Sequence, residues 1–141
     1  ELKELRENEI GEIASLIATK PSVRANLLVY QRDFANQKGG AVLDGRDIGT
    51  VVCPDADVKI FVDATESVRA QRRFNQLKEQ NFETSYNEVL ANLMKRDTQD
   101  RIRKIAPMVP SKDALLLDSS EISVQESLDI IILRINTELK K

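Results

Sequence analysis

Hydrophobic positions change their period several times along the chain, and each change marks an element. From Leu2 to Ile17 the apolar residues Leu2, Leu5, Ile10, Ile13, Leu16 and Ile17 recur at threes and fours. That is the period of one or two amphipathic helices. Pro21 ends this pattern and opens another, in which Val23, Leu27, Leu28, Tyr30 and Phe34 predict a helix to about Ala35. The two segments read as a helical hairpin, closed by a turn at Lys38-Gly39-Gly40. The period then disappears. Ala41, Val42 and Leu43 are continuously apolar, as suits a short strand buried on both faces. Two more such runs follow, VKIFVD from Val58 to Asp63 and ALLLDSS from Ala114 to Ser120. Each run delivers an aspartate at its end: Asp44, Asp63 and Asp118.

Helical patterns separate the runs. Thr65 starts one that reaches about Glu79. Ser85 with Glu88 three residues on is a capping box, predicting a helix from Tyr86 to about Arg103 with Val89, Leu90, Leu93 and Met94 toward the core. Ser123 and Glu126 repeat the device before a last helix whose apolar face is Val124, Leu128, Ile131, Ile132, Ile135 and Leu139. Short apolar strands alternating with helices predict an α/β fold, a parallel sheet flanked by helices. Three parallel strands are few, because each needs neighbours to pair its backbone and cover its faces. The sheet is therefore expected to be incomplete.

Composition narrows the chemistry. Histidine is absent and there is one cysteine, Cys53, which leaves carboxylates, arginines and lysines in place of Ser-His or Cys-His nucleophiles, the usual zinc sets or an internal disulfide. A lone cysteine and a charged amino terminus without a membrane-spanning apolar run predict a cytoplasmic protein with no membrane partner. The net charge of −2 supplies no global basic field, and the four phenylalanines and two tyrosines are scattered. An RNA-binding helical domain working through arginine faces is accordingly disfavoured.

Three groups of residues remain as candidates. Asp44, Arg46 and Asp47 follow the first apolar run, where α/β sheets place their ligands; a self-capped loop with an internal ion pair explains the same residues equally well. Arg69, Arg72 and Arg73 are spaced to share one helix face, and Arg96, Asp100 and Arg103 another, with Arg101 beside them. Forked, permanently charged guanidinium groups suit polyphosphate, although charged helix faces are commonly just solvated. The chain has no G-x-x-x-x-G-K-[ST] phosphate cradle: Gly40 and Gly45 have the spacing, but Arg46 and Asp47 stand where lysine and a hydroxyl are required.

Taken together, VLDGRDIGTVVCPDADVKIFVDA, the RAQRR helix, KRDTQDRIRKIAPMVP and ALLLDSS resemble bacterial cytidylate kinase, the CMP and dCMP kinase, over essentially the whole chain. The resemblance implies a P-loop kinase fold, transfer of the ATP γ-phosphoryl group to CMP or dCMP, Mg²⁺ accompanying ATP, and a monomer. It implies a cytosine-recognising set of Ser15, Arg24 and Asp47, sugar contacts from Arg96 and Asp100, and a monophosphate grip by Arg46 and Arg103. Arg69, Arg72 and Arg73 fall in its mobile lid, at about residues 69–104, and steady charge during transfer. On this reading residues 1–38 are a remnant of the CMP-binding region and residues 39–141 the core. The family's P-loop strand and cradle have no counterpart here, so the resemblance implies a sheet without its central strand, no metal site within the chain, and little or no activity from the chain alone. A non-catalytic nucleotide-binding or interaction module, completed by a separate P-loop chain, is the rival expectation.

Overall fold

In the computed structural model, the described residues are 8–140, without the side chains of residues 8, 9, 11, 12 and 15. The elements run α1 (Asn8–Ile17), α2 (Pro21–Ala35), a π-helical turn (Ile48–Val52), β1 (Ile60–Asp63), α3 (Glu66–Glu79), α4 (Tyr86–Ile102), β2 (Leu115–Asp118) and α5 (Val124–Glu138). The expected apolar positions Leu2 and Leu5 lie outside the described residues.

Local chemistry sets the ends of most helices. Pro21 occupies the first turn of α2, where its missing N–H costs nothing. The Thr65 side chain accepts from the Val68 backbone at the start of α3. Both predicted capping boxes form, Ser85 with Glu88 on α4 and Ser123 with Glu126 on α5. Gly39 and Gly40, at φ +98° and +84°, make the turn after α2 in a region that side chains disfavour.

The sheet is a parallel pair in which Ile60 to Asp63 face Leu115 to Asp118 residue by residue. Parallel neighbours need a long crossover, and α3 and α4 supply it. These two helices also hold the principal core. Ala70, Leu77 and Val89 are buried, with Phe74, Phe82, Tyr86 and Leu90 packed around them. Phe74 and Tyr86 meet edge to face at 6.4 Å.

Four expectations need correction. Residues 41–44 form no strand, and Val42 is 91% exposed; an apolar run becomes a strand only when a ladder partner satisfies its backbone, and none among the described residues runs beside it. The first two helices are not packed chiefly on each other: α1 lies against α4, and α2 against the π-helical turn. Met94, expected in the core, is exposed, because the residues of α4 that are buried near its C-terminal end are Asp97 and Asp100. The apolar stripe of α5 is uncovered in large part, with Val124, Leu128, Ile132 and Leu139 all exposed.

Candidate functional site

The site is assembled from α2, the segment entering the π-helical turn, and the last turns of α4. Asp47 stands immediately before the turn and Asp100 lies within the C-terminal part of α4; they are 8% and 3% exposed. Burying two carboxylates requires paired cations, and arginines surround them. Arg24, from the first turns of α2, donates to Asp47 Oδ2 and also reaches the Ala18 carbonyl at 3.4 Å. Arg103 lies 3.6 Å from Asp47 and 3.5 Å from Asp100, which joins the two carboxylates into one network. Arg46 Nε donates to Asp100 at 3.2 Å, and Arg96 Nε lies 3.9 Å from the same oxygen.

Six of the seven residues assigned to CMP are therefore in one place: Arg24, Arg46, Asp47, Arg96, Asp100 and Arg103. The seventh, Ser15, belongs to α1, but its side chain lies outside the described residues. The backbone just past the C-terminal end of α4 supports the cluster. Arg103 Nε donates to the Ala106 carbonyl at 2.6 Å, and the Met108 N–H to the Asp100 carbonyl at 2.8 Å. Ala106 itself is held at φ +51°, a conformation that costs a non-glycine residue energy and persists where surrounding contacts impose it.

The lid arginines, expected on one face, diverge. Arg69 donates to Asp97 and, at 2.8 Å, to the Ala64 carbonyl. Arg72 donates to the Ser119 carbonyl at 2.6 Å and its hydroxyl at 3.1 Å. Arg73 turns along its own helix to Gln76 at 2.8 Å. A helix residue and those three and four positions on are only roughly aligned, and long side chains follow whatever acceptors their neighbours offer. Arg101, grouped by sequence with Arg96 and Asp100, lies instead 3.5 Å from Asp63 at the end of β1.

These contacts form a second centre at the carboxyl ends of the strands. Asp63 and Asp118 sit side by side there, and Ser119 donates to the Asp63 carbonyl through its N–H and its hydroxyl, at 2.8 and 3.0 Å. Hydrogen bonds from the Ser120 hydroxyl and then its N–H hold the Asp118 carboxyl below its ordinary pKa. An open cleft of about 600 Å³ lies alongside, walled by Phe61, Asp63, Arg101, Met108, Leu116 and Asp118. Among the described residues, no group of three or more histidine, cysteine, aspartate or glutamate side chains is placed to hold a metal ion, and no helix is long and apolar enough to cross a membrane.

Two residues with a part in this architecture escape sequence reasoning. Asp97 is 7% exposed and bonded to Arg69, yet on the chain it is one charge among many on α4. Arg32 of α2 donates to the Val52 and Val51 carbonyls, both at 3.0 Å; its acceptors are main-chain atoms, which leave no mark on the sequence.

The arrangement, buried carboxylates as acceptors beside several forked cations, suits a small anionic ligand with a hydrogen-bonding ring. The cytidylate kinase family model matches residues 2–137. A protein of Cereibacter sphaeroides named cytidylate kinase is 49% identical over 126 residues, covering 89% of this chain and 61% of that protein. Proteins of the same name from Azorhizobium caulinodans and Bartonella henselae are 53% and 45% identical, covering 87% and 96% of this chain. The chain thus spans 60 to 63% of the length of these relatives. With the match running through both strands, α2, α4 and every arginine of the cluster, the chain belongs to the cytidylate kinase family.

Proposed function

We propose that the chain is the nucleoside-monophosphate-recognising portion of an ATP-dependent kinase acting on CMP and dCMP. The observation that carries this is the pair of buried aspartates, Asp47 and Asp100, bracketed by Arg24, Arg46, Arg96 and Arg103. Asp47 accepts from the exocyclic amine of cytosine, while Arg24 and Ser15 serve the ring carbonyl and N3; uracil shares the ring carbonyl but reverses donor and acceptor at N3 and at the exocyclic position. Asp100 accepts from sugar hydroxyls with Arg96 beside it. Arg46 and Arg103 grip the monophosphate by forked, charge-assisted bonds. Each aspartate exchanges an internal ion pair for a substrate contact, so the site is preorganised before substrate arrives.

Arg69, Arg72 and Arg73 belong to a lid of about residues 69–104 that closes over ATP and stabilises charge on the transferring phosphoryl group. Mg²⁺ enters with the ATP phosphates as part of the substrate. Residues 1–38 serve CMP, and residues 39–141 form the core with its lid. The phosphate cradle comes from outside these 141 residues, which contain no G-x-x-x-x-G-K-[ST]. Its strand completes the sheet between residues 41–44 and β1. In favour of that slot, Val42 and Val62 are exposed, at 91% and 55%. The chain alone accordingly transfers phosphate poorly or not at all, and the complete enzyme works as a monomer.

Titration calorimetry with CMP, dCMP, UMP and AMP tests the reading. CMP and dCMP are expected to bind, with CMP favoured at least about tenfold over UMP, the discrimination of one hydrogen-bonded group. Equal binding of all four, or none, would overturn it. Binding that discriminates, with no phosphoryl transfer even when a P-loop chain is supplied, would instead favour a non-catalytic nucleotide-binding module.

A further inference from the structure

The π-helical turn that presents Asp47 cannot satisfy its own carboxyl end. The Asp47 carbonyl accepts from the Val51 and Val52 N–H groups at 2.9 and 3.3 Å, and the Ile48 carbonyl from Cys53 at 2.7 Å. The next N–H in that ladder would come from residue 54, which is proline and has none. The ladder stops there, and the last carbonyls of the turn need donors from elsewhere. Arg32 supplies them, its Nε to Val52 and its Nη2 to Val51, both at 3.0 Å. Its two nitrogens hold adjacent carbonyls at once, which a single ammonium donor cannot reproduce with the same fork.

We infer that Arg32 is a positioning residue for Asp47, fixing the turn so that the carboxylate keeps its place when its own ion-pair partners move to substrate. Asp47 is held from two directions. Arg24 and Arg103 hold its side chain, and both are assigned to the nucleotide, so their hold weakens as substrate binds. Arg32 holds the backbone of the same turn through main-chain atoms. Arg24 and Arg32 lie eight residues apart on α2, just over two turns of helix, so one rigid element clamps both ends of the turn. Discrimination between cytosine and uracil depends on the position of one acceptor, and a site loosened by a few tenths of an ångström loses selectivity first.

This inference rests on the nucleotide reading of the site, and its test separates the two. In the 141-residue chain, CMP and UMP are titrated into wild type, Arg32→Gln, Arg32→Lys, Asp47→Asn and the Arg32→Gln/Asp47→Asn double variant. Amide hydrogen exchange of Val51, Val52 and Cys53 is followed in the same proteins without ligand. Arg32→Gln is expected to weaken CMP about tenfold and UMP less than about twofold, on the scale of one well-placed charged hydrogen bond. Arg32→Lys, which keeps the charge but not the fork, is expected to recover only a minor part of the CMP preference, and Arg32→Gln to have no further effect on selectivity once Asp47 is asparagine. Exchange of the turn amides should rise in Arg32→Gln while those of α3 stay protected. A wild-type preference for CMP that Arg32→Gln leaves intact overturns the positioning role alone, as does an equal loss for both nucleotides. Unchanged exchange in the turn overturns it whether or not nucleotide binds. If wild type does not distinguish CMP from UMP and Asp47→Asn changes nothing, the nucleotide reading itself fails.

Discussion

Helix α4 carries two ion-pair clusters on different faces, and they differ in their charge balance. Toward the π-helical turn, the ion pairs among the described residues join Asp47 and Asp100 to Arg24, Arg46, Arg96 and Arg103, two acids against four bases. Toward β1 and α3, Asp63 and Asp97 meet Arg69 and Arg101, two against two. A balanced set can neutralise itself and needs no ligand. A set with surplus arginine concentrates positive potential at one spot, and an anion lowers its energy. The first cluster is therefore suited to holding an anion, and the second to joining helices to the sheet.

The largest effect that tests this contrast is on folding. Asp100 is 4% exposed at its side chain and faces three arginines. Asp100→Asn leaves surplus positive charge buried without its counter-ion and is expected to cost about 3 kcal/mol or more. Its effect should shrink in high phosphate, because phosphate replaces part of the lost negative charge. Arg101→Gln breaks a pair whose members are 51% and 43% exposed, and is expected to cost no more than about 1 kcal/mol. Urea titrations of both variants, with and without phosphate, measure the difference. Equal costs, or no rescue of Asp100→Asn by phosphate, would mean that the two clusters do the same structural work.

A smaller effect separates them through ligand. Inorganic phosphate should raise the melting temperature of the wild-type chain, since an anion bound at a hundred times its dissociation constant adds about 2.7 kcal/mol. Arg46→Gln should remove most of that response, because Arg46, 39% exposed at its side chain against 7% for Arg103, can turn from Asp100 toward an anion. Arg101→Gln should leave the response unchanged. If the two variants lose it equally, phosphate is being held by general charge and not by the unbalanced cluster.

Much of this arrangement can be read from the chain, and the rest has physical reasons for being hidden. Capping boxes at Ser85 and Ser123 are local, so four residues suffice to predict them. The i, i+4 and i+7 spacing of Arg96, Asp100 and Arg103 likewise forecasts a shared face, and the contacts agree with it. Arg69, Arg72 and Arg73 have similar spacing but part company, since each follows an acceptor from a different element: Asp97, Ser119 and Gln76. Val42 reads as strand from its apolar neighbours, yet a strand is a property of two segments and the second is not among the described residues. The π-helical turn has no periodic signature in five residues, and Arg32 is tied to it through backbone oxygens that every residue shares. The α5 stripe is correct as a helix and exposed as a surface, because periodicity reports which face is apolar and not what covers it.

The smallest predicted effect concerns how firmly α4 holds both clusters from its far end. In each capping box the glutamate accepts first from the serine backbone N–H and then from its hydroxyl, which lowers Glu88 and Glu126 below the ordinary value of 4.5. A carboxyl whose folded value is depressed contributes stability fully above its unfolded value, and that contribution is lost as pH falls through the unfolded and then the folded value. Acid should therefore loosen the first turns of α4 and α5 together, in the window from about pH 5 downward. The two helices should differ beyond those first turns. Val89, Asp97 and Asp100 of α4 are buried, whereas α5 has no buried residue. Ser85→Ala is expected to raise amide exchange roughly fivefold over the first turn of α4, the scale of one lost cap, and to leave residues 96–102 protected. Ser123→Ala should spread its effect farther along α5, with no buried side chain to stop it. Residue-resolved exchange at neutral and mildly acidic pH checks this. Loosening that ran the full length of α4 in Ser85→Ala would show that the clusters depend on the cap, and the contrast between an anion-suited and a structure-holding cluster would lose the rigid helix that separates them.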